Sequence, residues 1–187
     1  LPRRQLTGYV WQTGAVGGTM LGYVSVEARG ESDLLIRDAT MALHARGVPL
    51  AGAVQVNSER DATHKCDMDL HVLTGTEVVR ISQNLGALSR GCRLDPAGLE
   101  HAVGMVAAAL ETGPALLVVN KFGKQELDGR GFRPLIGEAL SRGIAVLTAV
   151  NPGNLPGFLQ FAGDYAEALP PDVDAIVDWC NAQRLAA

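Results

Sequence analysis

Cysteine is scarce in this chain, and its cysteines cannot build a disulfide framework. The 187 residues hold three of them, Cys66, Cys92 and Cys180. That is an odd number in a chain large enough to bury a core without covalent staples. A reducing compartment, the cytoplasm, is the expectation. Positive charge is not in excess either. The 16 Lys and Arg against 20 Asp and Glu leave a net charge of -4, which argues against a general nucleic-acid or membrane-surface binder. Long apolar runs are missing as well, all far short of the roughly 18–20 residues a membrane span needs. The start, Leu1-Pro2-Arg3-Arg4, is basic, but no apolar stretch of about 7–15 residues follows, so a secretory signal is not expected. The expected partner is a small anionic ligand or another protein, not nucleic acid and not a membrane.

The sequence does carry a folded core. Hydrophobic residues make up 47%, the ordinary share for a globular domain. Residues 1–19 are rich in Gly and Thr without helical spacing, and read as a flexible N-terminal arm. Within that arm, Thr13-Gly14-Ala15-Val16-Gly17-Gly18-Thr19 has the glycines of a phosphate cradle but no lysine and no following helix. Residues 20–187 read as a single α/β domain. Leu21–Val26 is expected as a strand, Leu34–Arg46 as a helix capped by Ser32 or Asp33 and stopped by Gly47, and Leu50–Val56 as a second strand. Asp69–Leu73 and Glu77–Ser82 suggest a hairpin across Thr74-Gly75-Thr76, and Asn84–Gly91 a loop. Asp95-Pro96 opens a helix to about Thr112, and Ala115–Val119 is an apolar strand. Arg133–Arg142 is expected to be helical, Ile144–Val150 a strand, Phe158–Ala168 a helix and Asp172–Arg184 a last helix. Strands alternating with helices imply a three-layer domain with a mainly parallel sheet.

The chemistry concentrates where the Ala115–Val119 run ends, in Asn120-Lys121-Phe122-Gly123-Lys124-Gln125-Glu126 and on to Arg130 and Arg133. In open α/β sheets ligands bind at the carboxyl ends of the strands. Lys121, Lys124, Arg130 and Arg133 together can form an oxyanion pocket or simply a solvated basic face. The loop after the first strand offers a second wall. A full phosphate-binding loop reads G-x-x-x-x-G-K-[ST]. Here Gly30 and Ser32 fit the Gly and Ser/Thr places, but Glu31 stands at the lysine. At about 4 Å, a unit charge pair is worth roughly 4 kcal/mol at an effective dielectric near 20, so this reversal is costly for a phosphate. Arg29 offers partial compensation, and the helix amides still favour an anion. An ordinary, well-capped strand-to-helix turn is the plain alternative.

Other constellations are weaker. A conventional NTPase ends its metal-binding strand in an acid, whereas Asn120 is neutral and Lys121 cationic, and Mg²⁺ prefers carboxylate and phosphate oxygens. Asn120-Lys121 also opens a guanine-reading motif, but Gly123 stands where that motif needs Asp. His64, Cys66, His71 and Cys92 lack the close pairs of a zinc site, and no metal is expected. Ser82 and Ser89 have no evident His–Asp partners.

Several ordered segments carry a family resemblance: Gly52-Ala53-Val54-Gln55-Val56-Asn57, Cys66-Asp67-Met68-Asp69-Leu70, Ile81-Ser82-Gln83-Asn84-Leu85-Gly86, Gly91-Cys92-Arg93-Leu94-Asp95, Val119 to Glu126, and Gly129-Arg130-Gly131-Phe132-Arg133. Over roughly residues 21–150 the chain resembles a bacterial family catalogued as a domain of unknown function. That family is in turn similar to the small cancer-related nucleoside-triphosphatases of the P-loop class. The resemblance implies a P-loop NTPase-like fold with a degenerate phosphate-binding loop, and Asn120-Lys121 falls where those enzymes carry Asp-Glu. It also implies a link to molybdenum transport, hence to oxyanions. The function expected is a non-hydrolysing or weakly active, regulatory protein that binds a nucleotide or an oxyanion such as molybdate through Arg29, Gly30, Ser32, Asn120, Lys121, Lys124, Arg130 and Arg133. The alternatives are a divergent Mg-dependent nucleoside triphosphatase, with Lys121 replacing the phosphate lysine and Glu126 or Glu31 holding metal, and a partner-binding protein without a small ligand.

Overall fold

A seven-stranded sheet carries the molecule, in the order β4-β3-β2-β5-β6-β1-β7. The computed structural model describes residues 19–28, 30–58, 67–83 and 93–186. The strands are β1 (Leu21–Val24), β2 (Leu50–Ser58), β3 (Asp67–Val72), β4 (Val78–Arg80), β5 (Leu116–Phe122), β6 (Ala145–Val150) and β7 (Ala166–Ala168). The helices are α1 (Glu31–Ala45), α2 (Pro96–Leu110), α3 (Lys124–Leu127), α4 (Arg133–Ser141), α5 (Leu155–Ala162) and α6 (Val173–Ala186). The β2-β5-β6-β1-β7 run is parallel, while β3 and β4 extend it antiparallel. Parallel neighbours need helical crossovers, which cover both faces. One face packs on α2, α4 and α5 through residues such as Val106, Ile136 and Phe158. The other packs on α1 and α6 through Ile36, Leu43, Ile176 and Val177. The expected three-layer α/β domain with its mainly parallel sheet is the observed one.

The layers follow from side-chain periodicity. In α1 the buried residues are Ser32, Asp33, Ile36, Ala39, Thr40 and Leu43, one stripe at helical spacing. In β5, Leu116 and Val118 face the α1/α6 side while Leu117 and Val119 face the α2/α4/α5 side, as the two-residue strand period requires. Small residues let β2 sit close to β5. Gly52 has φ 129, and a Cβ there would lie against the Val118 carbonyl oxygen. Only glycine combines that conformation with that approach.

Several expected boundaries moved. β1 ends at Val24, and α1 begins at Glu31 with Gly30 as its N-cap at φ 82. Ser32 and Asp33 therefore lie inside the first turn, and neither side chain caps the helix. β5 runs past Val119 to Phe122, and the short α3 follows it. The segment expected as one helix over Phe158–Ala168 divides. α5 stops at Ala162, a 3₁₀ turn spans Gly163–Tyr165, and β7 adds an edge strand beside β1. The Asp95 cap on α2 is present, accepting from the Ala97 amide at 3.0 Å, with Pro96 in the first turn. The expected N-terminal arm falls, save Thr19, outside the described residues, as do Arg29, His64, Cys66, the Asn84–Gly91 loop with Ser89, and Cys92. Among the described residues, no helix is long and apolar enough to cross a membrane.

Candidate functional site

The carboxyl end of β5 holds a fault in the sheet, and the site is built on it. Val119 pairs with Thr148 and Phe122 pairs with Val150, so three steps along β5 match two along β6. One extra residue has been inserted, which is a β-bulge, and bulges re-aim side chains. Val119 and Phe122 both face the α2/α4/α5 side, which strict alternation over three steps forbids. The residues between them, Asn120 and Lys121, both reach the α1 side. There they meet one carboxylate. Asn120 Nδ2 donates to Asp33 Oδ1 at 2.9 Å, and Lys121 Nζ donates to Asp33 Oδ2 at 3.1 Å.

The rest of this network is polar and mostly enclosed. Asn120 is buried, and its Oδ1 accepts from the Gln55 amide at 3.0 Å. Gln55 Nε2 in turn donates to Asn57 Oδ1 at 2.7 Å. Asp33 is buried in the first turn of α1, where the helix dipole favours a negative group. The Lys121 side chain is 36% exposed against 9% for Asp33, so the ammonium faces solvent and the carboxylate does not. Gly30 closes the preceding turn with nothing near its Cα that a side chain would meet, and Glu31 is exposed. Ser32 is buried beside Asp33.

The segment after β5 is a second, separately organised piece. Glu126 is buried, and its two oxygens accept from the Gly123 amide at 2.9 Å and the Phe132 amide at 3.0 Å. Burial pushes its carboxyl up from the ordinary range, and these backbone bonds pull partly back. Glu100, from α2, accepts from the Gly131 amide at 3.1 Å and ties the loop to the core. Arg133 donates to the Glu126 and Leu127 carbonyls, both at 3.2 Å, and its guanidinium lies 4.6 Å from the centre of the Phe161 ring. Phe161 stacks on Phe122, which meets Phe158 edge-on.

The residues expected to share one pocket therefore have different positions. Asn120 and Lys121 meet α1 at Asp33, while Gly30 is the N-cap of that helix and Ser32 is buried in its first turn. Lys124 is exposed at the start of α3. Arg130 is 62% exposed and pairs with Asp128 at 3.3 Å. Arg133 is engaged by the loop's own carbonyls and by Phe161. Arg29 lies outside the described residues. Sequence reasoning missed Asp33, which it took for a cap. The available signal was its place on the buried stripe of α1, three residues before Ile36 and seven before Thr40, where a carboxylate needs a buried partner.

The other candidates resolve as supports. Ser82 Oγ accepts from the Met68 amide and lies 3.5 Å from Asp67. His71 is exposed on β3. Cys180 is buried in α6, and desolvation pushes its thiol up to about 12, leaving it unreactive at neutral pH. A cleft of about 360 Å³ lies at the opposite, amino edge of the sheet. Leu110, Pro114, Ile144, Arg142 and Arg184 line part of it, far from the bulge.

The donor set at the bulge does not fit Mg²⁺. Both Asp33 oxygens are occupied by protein donors, Asn120 offers its amide NH₂ to that carboxylate, and Lys121 is itself a cation.

Comparison with known proteins agrees with the architecture. The chain is 35% identical over 148 residues to a molybdenum import ATP-binding protein, ModC 2, of Bradyrhizobium diazoefficiens. The match covers 79% of this chain but 16% of that protein, so the chain spans about a sixth of the relative's length. No solved structure matches. The fold is α/β and P-loop NTPase-like, and a family model matches residues 21–179. The chain belongs to the family described as protein of unknown function DUF2478.

Proposed function

We propose that this chain is a P-loop-like module that binds an anion, the phosphates of a nucleotide or an oxyanion such as molybdate, without hydrolysing it. The observation that carries this reading is the bulge at Asn120-Lys121, which delivers an amide donor and an ammonium to the first turn of α1. Helix N-termini favour anions, and the carboxyl edge of a parallel sheet is where ligands sit. Gly30 at φ 82 leaves the helix entrance free of side-chain bulk. Lys124 on α3 supplies a further exposed charge at the end of β5. Arg130 contributes at longer range, and Arg133 acts by holding the loop.

Hydrolysis is not part of the proposal. Phosphoryl transfer needs the developing charge neutralised, commonly by a metal ion and a phosphate lysine. Glu31 stands at that lysine's place, and the strand-end position is Asn120. The likeness to a molybdenum-import protein supports molybdate as the first oxyanion to try. A regulatory part in such a system is the corresponding biological role.

A thermal-shift and calorimetric panel tests this: ATP and GTP with and without Mg²⁺, and phosphate, sulfate and molybdate. Ligands that bind the folded state raise its apparent stability. The expected result is a Mg²⁺-independent shift with at least one anion, lost in Lys121→Met, and no phosphate release from either nucleotide. Mg²⁺-dependent phosphate release lost in Lys121→Ala and Glu126→Gln would establish the divergent triphosphatase instead. No shift with any ligand would favour a partner-binding protein.

A further inference from the structure

Asp33 occupies the donors that an anionic ligand needs. We infer that Asp33 is a built-in competitor for the anion site, an internal carboxylate that an external oxyanion must displace from Lys121 and Asn120. This rests on the anion-binding reading above and adds how that site is regulated and which ligands it selects.

Three observations carry it. Asp33 takes one proton donor from each of two consecutive residues, Asn120 Nδ2 at 2.9 Å and Lys121 Nζ at 3.1 Å. Consecutive strand residues reach the same carboxylate only because of the bulge between Val119 and Phe122. Second, Asp33 sits in the first turn of α1, whose N-cap is a glycine with no side chain to offer. A carboxylate in that place mimics an anion bound at a helix N-terminus. Third, access is one-sided. The Lys121 side chain is 36% exposed while that of Asp33 is 9% exposed, so an incoming ligand meets the ammonium from solvent while the carboxylate holds it from behind.

Charge then selects the ligand. Asp33 and Lys121 cancel, so the pair offers little long-range attraction, and an anion drawn to Lys121 meets a fixed like charge. A monovalent carboxylate outside gains nothing over the one already inside. A tetrahedral dianion carries more charge and more acceptors, and can hold Lys121 and Asn120 with oxygens to spare. The selected class is therefore molybdate, phosphate or a terminal phosphate group, with acetate and chloride excluded.

The test is the unusual sign expected of a site-residue substitution. Molybdate and inorganic phosphate are titrated calorimetrically into wild type, Asp33→Asn, Asp33→Ser and Asp33→Asn/Lys121→Met, with thermal unfolding confirming that each folds. The two Asp33 variants remove the charge with different shapes, so failure of one to fold leaves the other. Either is expected to tighten dianion binding by about tenfold, the scale of one charged hydrogen bond, and to admit acetate. Adding Lys121→Met should abolish the gain. If wild type binds a dianion and the Asp33 variants bind equally or more weakly, Asp33 is no competitor, while the anion-binding reading survives. A gain that persists without Lys121 also overturns the inference, since the anion then sits elsewhere. Absence of binding in every variant removes both readings together.

Discussion

Two buried carboxylates flank the end of β5, and they are held in opposite ways. Asp33 is held by side chains, the Asn120 amide and the Lys121 ammonium. Glu126 is held by backbone, the amides of Gly123 and Phe132, and no cation among the described residues bonds to its carboxylate. Backbone donors are fixed once the loop has folded, so Glu126 is part of the loop's construction. Side-chain donors can be exchanged for another acceptor, which is what the proposed competition at Asp33 requires. The contrast sets a loop-building carboxylate beside one held by exchangeable side chains, brought together from distant parts of the sequence. Lys121 likewise turns its ammonium to a side-chain carboxylate, while Arg133 donates to the loop's own carbonyls.

The largest break in this comparison comes from Glu126→Ala. It leaves two buried amide donors without acceptors, each costing about 1–3 kcal/mol. A loss of about 2–4 kcal/mol in unfolding free energy is expected, read from denaturant midpoints. Glu126→Gln keeps one acceptor and no longer buries a charge, so it should cost less than half as much. A cost for Gln as large as for Ala would mean that the ionised form is what the loop requires.

The same pair of proteins yields a pH signature. Burial raises the Glu126 carboxyl above its usual 4.5 in the folded chain. Between that value and the raised one, the folded state holds a proton that the unfolded state has released. Stability from this group is therefore greatest at the acid end and falls as pH rises through the window, levelling off above it. The wild-type minus Glu126→Gln difference in unfolding free energy should decline across that range. A difference that rises with pH would show that the backbone amides outweigh burial.

A smaller effect sharpens the Asp33 side. Lys121→Met removes a cation that is one third exposed, and solvent screening limits the loss to about 1 kcal/mol. In a double-mutant cycle with Asp33→Asn, the coupling should be about 0.5–1 kcal/mol and shrink with added salt. Zero coupling would mean that the contact does not hold the pair in solution.

Much of the architecture was legible because it rests on periodicity. The α1 stripe, the apolar β5 run and the Asp95-Pro96 start of α2 each state their structure locally. β7 was not legible. Its Ala166, Glu167 and Ala168 carry no strand signal, and they become a strand because β1 offers an open edge. The site was half legible. Asn120 and Lys121 stood out as polar residues after an apolar run, but their common direction depends on a bulge whose cause lies in pairing with β6. Phe122 was the one local clue, an apolar residue out of step with the strand. Asp33 was read as a cap because Ser and Asp before a helix usually are. Gly30 does that work, and a tertiary partner 87 residues away claims the carboxylate. Arg133 looked like a ligand residue because charge says nothing about which carbonyls will be near.

The smallest expected effect concerns the two exposed cations of the loop. Lys124 and Arg130 lie at the surface, and the Arg130–Asp128 contact is open to solvent on both sides. Neither holds the loop, so each substitution to Ala should move stability by no more than about 0.5 kcal/mol. Their influence on an anion is through distance, and charges separated by solvent are screened within about 10 Å at 0.1 M salt. Lys124→Ala/Arg130→Ala should therefore weaken molybdate or phosphate binding by about threefold at low ionic strength and hardly at all at high. Loss of Lys121 should weaken it at both. Equal salt dependence for the two proteins would erase the distinction between a contact ion and a distant one, and with it the claim that the site lies at the bulge and not along the basic loop.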